Sequence, residues 1–249
     1  LRFEVTFNLL STVLQSDHTS GTPSASISTQ TLQGISHPLA LVFTAAHVTG
    51  DERTWQTSLY ERDGIMQAYK EFKQQPRITV VTGTTGTVPL RLTSLKDQIS
   101  EIYWIARRAS DVNTPYGNNP NRRLTYVAAS FTGNGGEMIP QHTRKFIDYR
   151  QREHYHSSYT SDDQNIGFFP FSWVPEDPVN NTGSIHLGII NDPTLNVNIG
   201  DAAGQSEMYD VLNGTSADGS PAENIVVDVF VENFNWLHFV GGDVNRTFN

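Results

Sequence analysis

Along most of this chain apolar and polar residues alternate with a period of two. Ile225, Val227, Val229 and Val231 fall on one side of a pleated strand and Asp228 and Glu232 on the other. Ile225–Val240 therefore predicts a half-buried antiparallel strand, and the apolar pattern stops at Gly241-Gly242. Near the start, Leu1, Phe3, Val5, Phe7 and Leu9 alternate with Arg2, Glu4, Thr6 and Asn8 in the same manner. Further strands are predicted over residues 24–32, 37–47, 77–81, 88–92, 99–107, 124–131, 166–174, 184–190 and 195–199, separated by Gly, Pro, Asn and Asp. The stretch Thr82-Gly83-Thr84-Thr85-Gly86 suits a hairpin turn that needs positive φ. Between residues 51 and 72 the spacing changes. Trp55, Leu59, Met66, Tyr69 and Phe72 recur near the helical period, with Gly64 interrupting, which predicts one or two short helices in a long connection. Residues 109–123 and 132–164 read as long polar loops, a length that in a compact domain points to function or contact-making. Many short strands with little helix predict an all-β antiparallel sandwich.

Length and composition fit that picture. With 249 residues, 37% of them hydrophobic, and 13 Phe, 9 Tyr and 4 Trp, the chain can fill one large β-domain and is not of disordered composition. The absence of Cys excludes a disulfide framework, a thiolate metal site and a cysteine nucleophile. No apolar run approaches the ~20 residues of a membrane-spanning helix, so no transmembrane segment is predicted. The chain opens on Leu1, not Met, and an upstream part is expected. Its 17 basic residues are outnumbered by 26 acidic ones, a net charge of -9, and pairs such as Arg107-Arg108 and Arg122-Arg123 are too scattered for a nucleic-acid groove.

Several motifs arrive in a fixed order. Leu41-Val42-Phe43 leads through Val48 to Asp51-Glu52-Arg53, and Glu101-Ile102-Tyr103-Trp104-Ile105 follows as an aromatic-rich strand. Ser130-Phe131-Thr132-Gly133-Asn134-Gly135 then leads to Arg144, Phe146, Tyr149 and His154-Tyr155-His156. Next come Gly167-Phe168-Phe169-Pro170-Phe171-Ser172-Trp173-Val174-Pro175 and Thr182-Gly183-Ser184-Ile185, and the chain closes on Asn233-Phe234-Asn235-Trp236-Leu237 before Gly241-Gly242. Taken in this order, from about residue 41 to residue 242, the set resembles the second jelly roll of the double jelly-roll major capsid proteins of nucleocytoplasmic large DNA viruses. The Asn-Gly turn is displaced, and Thr182 stands where that family has Ser. The resemblance implies a single eight-stranded jelly-roll domain over residues 1–249, with the first jelly roll of the subunit absent. It also implies homotrimers forming pseudo-hexagonal capsomers of an icosahedral shell. Neighbouring capsomers and minor capsid proteins would be the further partners, with assembly in the host cytoplasm and residence in the virion.

His154 and His156 would share one face of a strand, as in metal-binding cupins, but the Gly and Glu that such a site requires are missing around them, so hydrogen-bonded loop histidines are expected and no metal. Asp162-Asp163 and Glu176-Asp177 are paired acids in turn-like sequence; adjacent acids point apart, so solvated turn acids are expected, not a glycosidase pair. No Gly-x-Ser-x-Gly elbow, phosphate loop or dinucleotide fingerprint occurs, so no catalytic residue, cofactor-binding residue or cofactor is assigned and no enzyme is expected. Of the tryptophans, Trp104, Trp173 and Trp236 lie in predicted strands and are expected in the core, while Trp55 does not. Sequons stand at Asn180, Asn213 and Asn245. The competing function is a carbohydrate- or receptor-binding β-sandwich that would grip sugars with exposed aromatic residues.

Overall fold

The computed structural model describes residues 48–112, 122–156, 165–177, 180–240 and 243–247. The strands expected over residues 1–9, 24–32 and 37–47 lie outside these. Among the described residues, helix α1 (Gly50–Arg62) is followed by strands β1 (Ile65–Gln74), β2 (Ile78–Val80), β3 (Gly86–Arg91), β4 (Gln98–Arg108), β5 (Ala128–Gly133) and β6 (Gly136–Thr143). A π-helical turn (Phe146–Gln151) then runs into α2 (Arg152–Tyr155). After it come β7 (Gly167–Pro170), β8 (Ile185–His186), β9 (Thr194–Gly200), α3 (Glu207–Asn213), β10 (Ile225–Val240) and β11 (Asp243–Arg246).

Eight of these strands form two four-stranded antiparallel layers, β1-β10-β4-β7 and β3-β9-β5-β6, and β2, β8 and β11 extend the first. Pairing is nested: β1 with β10, β3 with β9, β4 with β7, and β5 with β6, outermost with outermost and innermost with innermost. Nested pairing of eight strands across two sheets is the jelly roll. Between the layers lie Leu90, Ile102, Trp104, Phe131, Phe169, Leu195, Ile199 and the inward residues of β10, all nearly inaccessible to water. Burying each large side chain of this kind contributes about 1.5–3 kcal/mol.

The β-sandwich expected from alternation is present, with local corrections. β1 occupies residues read as helix. Gly64, at φ 74°, ends α1 and allows the chain to turn closely past His238 and Phe239, and residues 65–74 then pair with residues 230–239. Long-range pairing with a continuous partner strand outweighs the chance helical spacing of Met66, Tyr69 and Phe72. The turn at residues 82–86 is not a hairpin: β2 pairs with β10 and β3 with β9, so the chain crosses there from one layer to the other. The expected loop 132–164 contains β6, joined to β5 by a tight turn with Asn134 at φ 54° and Gly135 at φ 76°, the left-handed pair that a two-residue hairpin requires. That segment also contains the helical residues 146–155, where Ile147 is fully buried and plugs the open side of the sandwich between edge strands β6 and β7.

Candidate functional site

β10 is buried on both faces, not half-buried. Asp228, on the face turned away from the core, has no solvent exposure. Its carboxylate is held by the Arg107 guanidinium, by Arg77 Nε at 3.0 Å and by the Gln74 amide at 3.0 Å. A buried carboxylate requires such pairing. Beside it, Lys70 Nζ pairs with Glu232 at 2.6 Å and also donates to the Pro175 carbonyl, tying the loop after β7 to β1.

Further along the same face, Glu101 is 1% exposed and accepts a hydrogen bond from the Tyr103 hydroxyl. His156 lies between two carboxylates, with Nε2 3.2 Å from Glu101 and Nδ1 3.4 Å from Glu176. Burial disfavours the imidazolium, but the hydrogen bond and charge of Glu101, joined by Glu176, outweigh it and raise the His156 pKa. Burial, with the neighbouring Glu101 charge, pushes the Tyr103 phenol far above its ordinary range. At the end of the sandwich, burial acts to raise Glu71, yet hydrogen bonds from Asn233 and Lys73 and the charges of Lys73 and Arg246 hold it below the usual carboxylate range. Asp148, on the helical turn, is the reverse case. Burial pushes it up to about 6, although the Tyr126 hydroxyl donates to it at 2.7 Å and Arg144 and Arg152 lie near.

These contacts place the candidate residues. His154 and His156 do not converge: the His154 ring packs edge-on to Tyr155, with centroids 4.8 Å apart, while His156 turns to β4. Among the described residues no three His, Asp or Glu side chains come together as a metal site. Asp162-Asp163 lies outside the described residues. Glu176 is not a simply solvated turn acid, because it pairs with His156, whereas Asp177 caps its own turn by accepting from the Asn180 amide at 3.0 Å. Trp104 is buried against Phe169 and Tyr126, and Trp236 is partly buried beside Phe234. Trp173 departs from expectation: β7 ends at Pro170, and this indole is 79% exposed. Asn180 and Asn245 are exposed, whereas the Asn213 amide donates to Thr84 O and Tyr209 O.

Sequence reasoning missed α3. Its signals were local: Ser206 caps the helix by accepting from the Tyr209 amide, and Gly214, at φ 69°, ends it, around buried Met208, Val211 and Leu212. α3 belongs to one end of the molecule, where the connections β2–β3, β4–β5 and β9–β10 meet. Gly83 N donates to Leu212 O, Ala109 N to Asn224 O, and Thr125 N to Glu207 at 2.9 Å. The described residues of these three connections are thus tied together at that end.

No family model and no curated protein matches the sequence. Solved structures do match by shape. PBCV-1 VP54, fitted into a reconstruction of the virophage Sputnik, superposes with a TM-score of 0.59 at 13% identity, covering 81% of this chain and 55% of that one. A protein of the PBCV-1 virus capsid gives 0.54 at 13% identity, over 79% of this chain and 54% of that one. The Faustovirus major capsid protein gives 0.56 at 11% identity, over 77% and 36%. The chain therefore has the jelly-roll fold found in viral major capsid proteins. It spans just over half the length of the PBCV-1 chains and about a third of the Faustovirus chain.

Proposed function

We propose that this chain is a structural shell protein, the second jelly roll of a double jelly-roll major capsid subunit, with residues 1–249 forming that one domain. The observation carrying this reading is the nested order of eight strands in two sheets, in a fold that superposes on PBCV-1 VP54 and the Faustovirus major capsid protein over 55% and 36% of their lengths. In this reading the work is mechanical and not enzymatic. A rigid wall, cross-tied on one face by Asp228, Glu232 and Glu101 with their partners, carries loops that meet other subunits. Three subunits would join into a pseudo-hexagonal capsomer of an icosahedral virion, assembled in the host cytoplasm, with neighbouring capsomers and minor capsid proteins as further partners. The net charge of -9 suits a shell wall that does not itself package nucleic acid.

Light scattering of the purified chain over a range of concentrations tests this. A trimer supports the reading. A monomer whose tryptophan fluorescence is quenched by glycans would replace it with a sugar-binding sandwich, since Trp55 and Trp173 are the exposed indoles such a module would use.

A further inference from the structure

Segment 146–155 is a wedge and not a strand of either sheet. It packs against β6 and β7, which end the two sheet orders, and sends fully buried Ile147 into the core. Its first six residues wind as a π-helix, a rare geometry that in proteins accumulates at functional sites. Polar contacts from distant residues seat it. Arg144, just ahead of the wedge, donates to Asn165 Oδ1 at 2.7 Å, and Arg152 donates to the Ile166 carbonyl at 2.9 Å. The Tyr126 hydroxyl reaches Asp148 near one end, and His156 spans Glu101 and Glu176 at the other.

The last two contacts titrate, and each is complete only while its group on the segment carries a proton. Asp148 is buried, so its ionised form loses water. Arg144 and Arg152 are already engaged with Asn165 and Ile166, and their charges offset that loss only in part. Lys145, Arg150 and Glu153 are the further charges beside Asp148, all on the segment itself. At the other end, a neutral His156 would leave the carboxylate of Glu101, 1% exposed, with the Tyr103 hydroxyl but without its cation. Glu176, after β7, faces the second ring nitrogen, and Glu232 and Arg152 are the remaining charges acting at Tyr103.

We propose that residues 146–156 are an acid-locked plug, seated while Asp148 is neutral and His156 is charged, and opening, with both sheets still folded, as the two lose their protons. Both groups act in the same direction. Asp148, at about 6 when seated and 3.8 when unperturbed, favours seating fully below 3.8 and ceases to do so as the pH rises through about 6. The raised His156 favours seating below 6.5 and ceases to do so above its seated value. The sheets are held by other contacts. β4 pairs with β10 on one side and β7 on the other, and the Asp228 cluster of Arg107, Arg77 and Gln74 contains no residue of the segment. Opening therefore has the character of a local, sub-global event.

Hydrogen exchange read by mass spectrometry on the full chain at about pH 5 and about pH 8, corrected for the intrinsic pH dependence of exchange, tests this. Protection of peptides covering residues 144–156 should fall at least about tenfold between the two, while that of β4 and β10 stays within about twofold. Asp148→Asn removes the ionisation and keeps an acceptor for Tyr126; it should gain about tenfold more protection at about pH 8 than at about pH 5. The fall that remains should vanish in Asp148→Asn/His156→Gln. A wild-type segment equally protected at both pH values overturns the proposal. So does a loss shared in full by β4 and β10, which would be global unfolding, or a fall that Asp148→Asn leaves unchanged.

Discussion

At the scale of single residues, the groups with consequences are buried acids whose partners are far away in sequence. Asp228 reads as the polar side of an alternating strand, and nothing local announces that Arg107 and Arg77 will enclose it. Asp148 and His156 carry the pH dependence. Asp148 has a folded pKa near 6 against 3.8 when unperturbed, so its contribution to stability is complete below 3.8 and is lost as the pH rises through about 6. The raised His156 adds stability that is complete below 6.5 and is lost as the pH climbs through its folded value. Both groups make the fold more stable at about pH 5 than at about pH 8, while Glu71, held low, begins to cost stability only in more acid solution. Asp148→Asn keeps an acceptor for the Tyr126 hydroxyl and removes the ionisation. It should raise stability by up to about 3 kcal/mol at about pH 7.5, from ~1.4 kcal/mol per pKa unit, and change it little at about pH 4. Urea unfolding at the two pH values measures this, and an equal effect at both would show that ionisation is not the cause.

At the scale of elements, period-two alternation located the terminal strand and β9, although β10 turns out to be buried on both faces. It misled where tertiary partners decide. Residues 65–74 become a strand because β10 is there to pair with, and residues 136–143 become an edge strand despite their polar composition because the Asn134-Gly135 turn folds them back on β5. Trp173 lies within the strand that the apolar run predicts over residues 166–174, but the run outlasts the strand, which ends at Pro170. One local demand is steric. Gly167 on β7 lies opposite Trp104 on β4, and a Cβ there would sit 1.9 Å from the indole. Gly167→Ala should therefore destabilise by about 1–3 kcal/mol, the range for overpacking a filled core. Adding Trp104→Phe should make the alanine cost markedly less than it does beside Trp104. Thermal melts of the four chains form the double-mutant cycle, and simple additivity would place the strain elsewhere.

At the scale of the whole molecule, the jelly roll depends on the last strand to close it. β10 stands between β1 and β4, pairs with β2 and β11 as well, and places Ile225, Val227, Val229 and Val231 between the layers. At about 1.5–3 kcal/mol each, these four side chains contribute roughly 6–12 kcal/mol. That is comparable with the entire ~5–15 kcal/mol by which a domain is stable. Removal also strips β1 of the partner that overrides its helical spacing and leaves Arg107 facing the place of its carboxylate. A chain ending after residue 220 should accordingly show no cooperative thermal transition and should bind dyes that report exposed apolar surface. A synthetic peptide of residues 221–247, added in excess, should restore cooperative melting by inserting as the missing strand, since main-chain pairing on both sides and four apolar side chains favour its return. If the shortened chain melts cooperatively within a few degrees of the full one, the two sheets do not depend on nested closure, and the mechanical reading of the fold loses its basis.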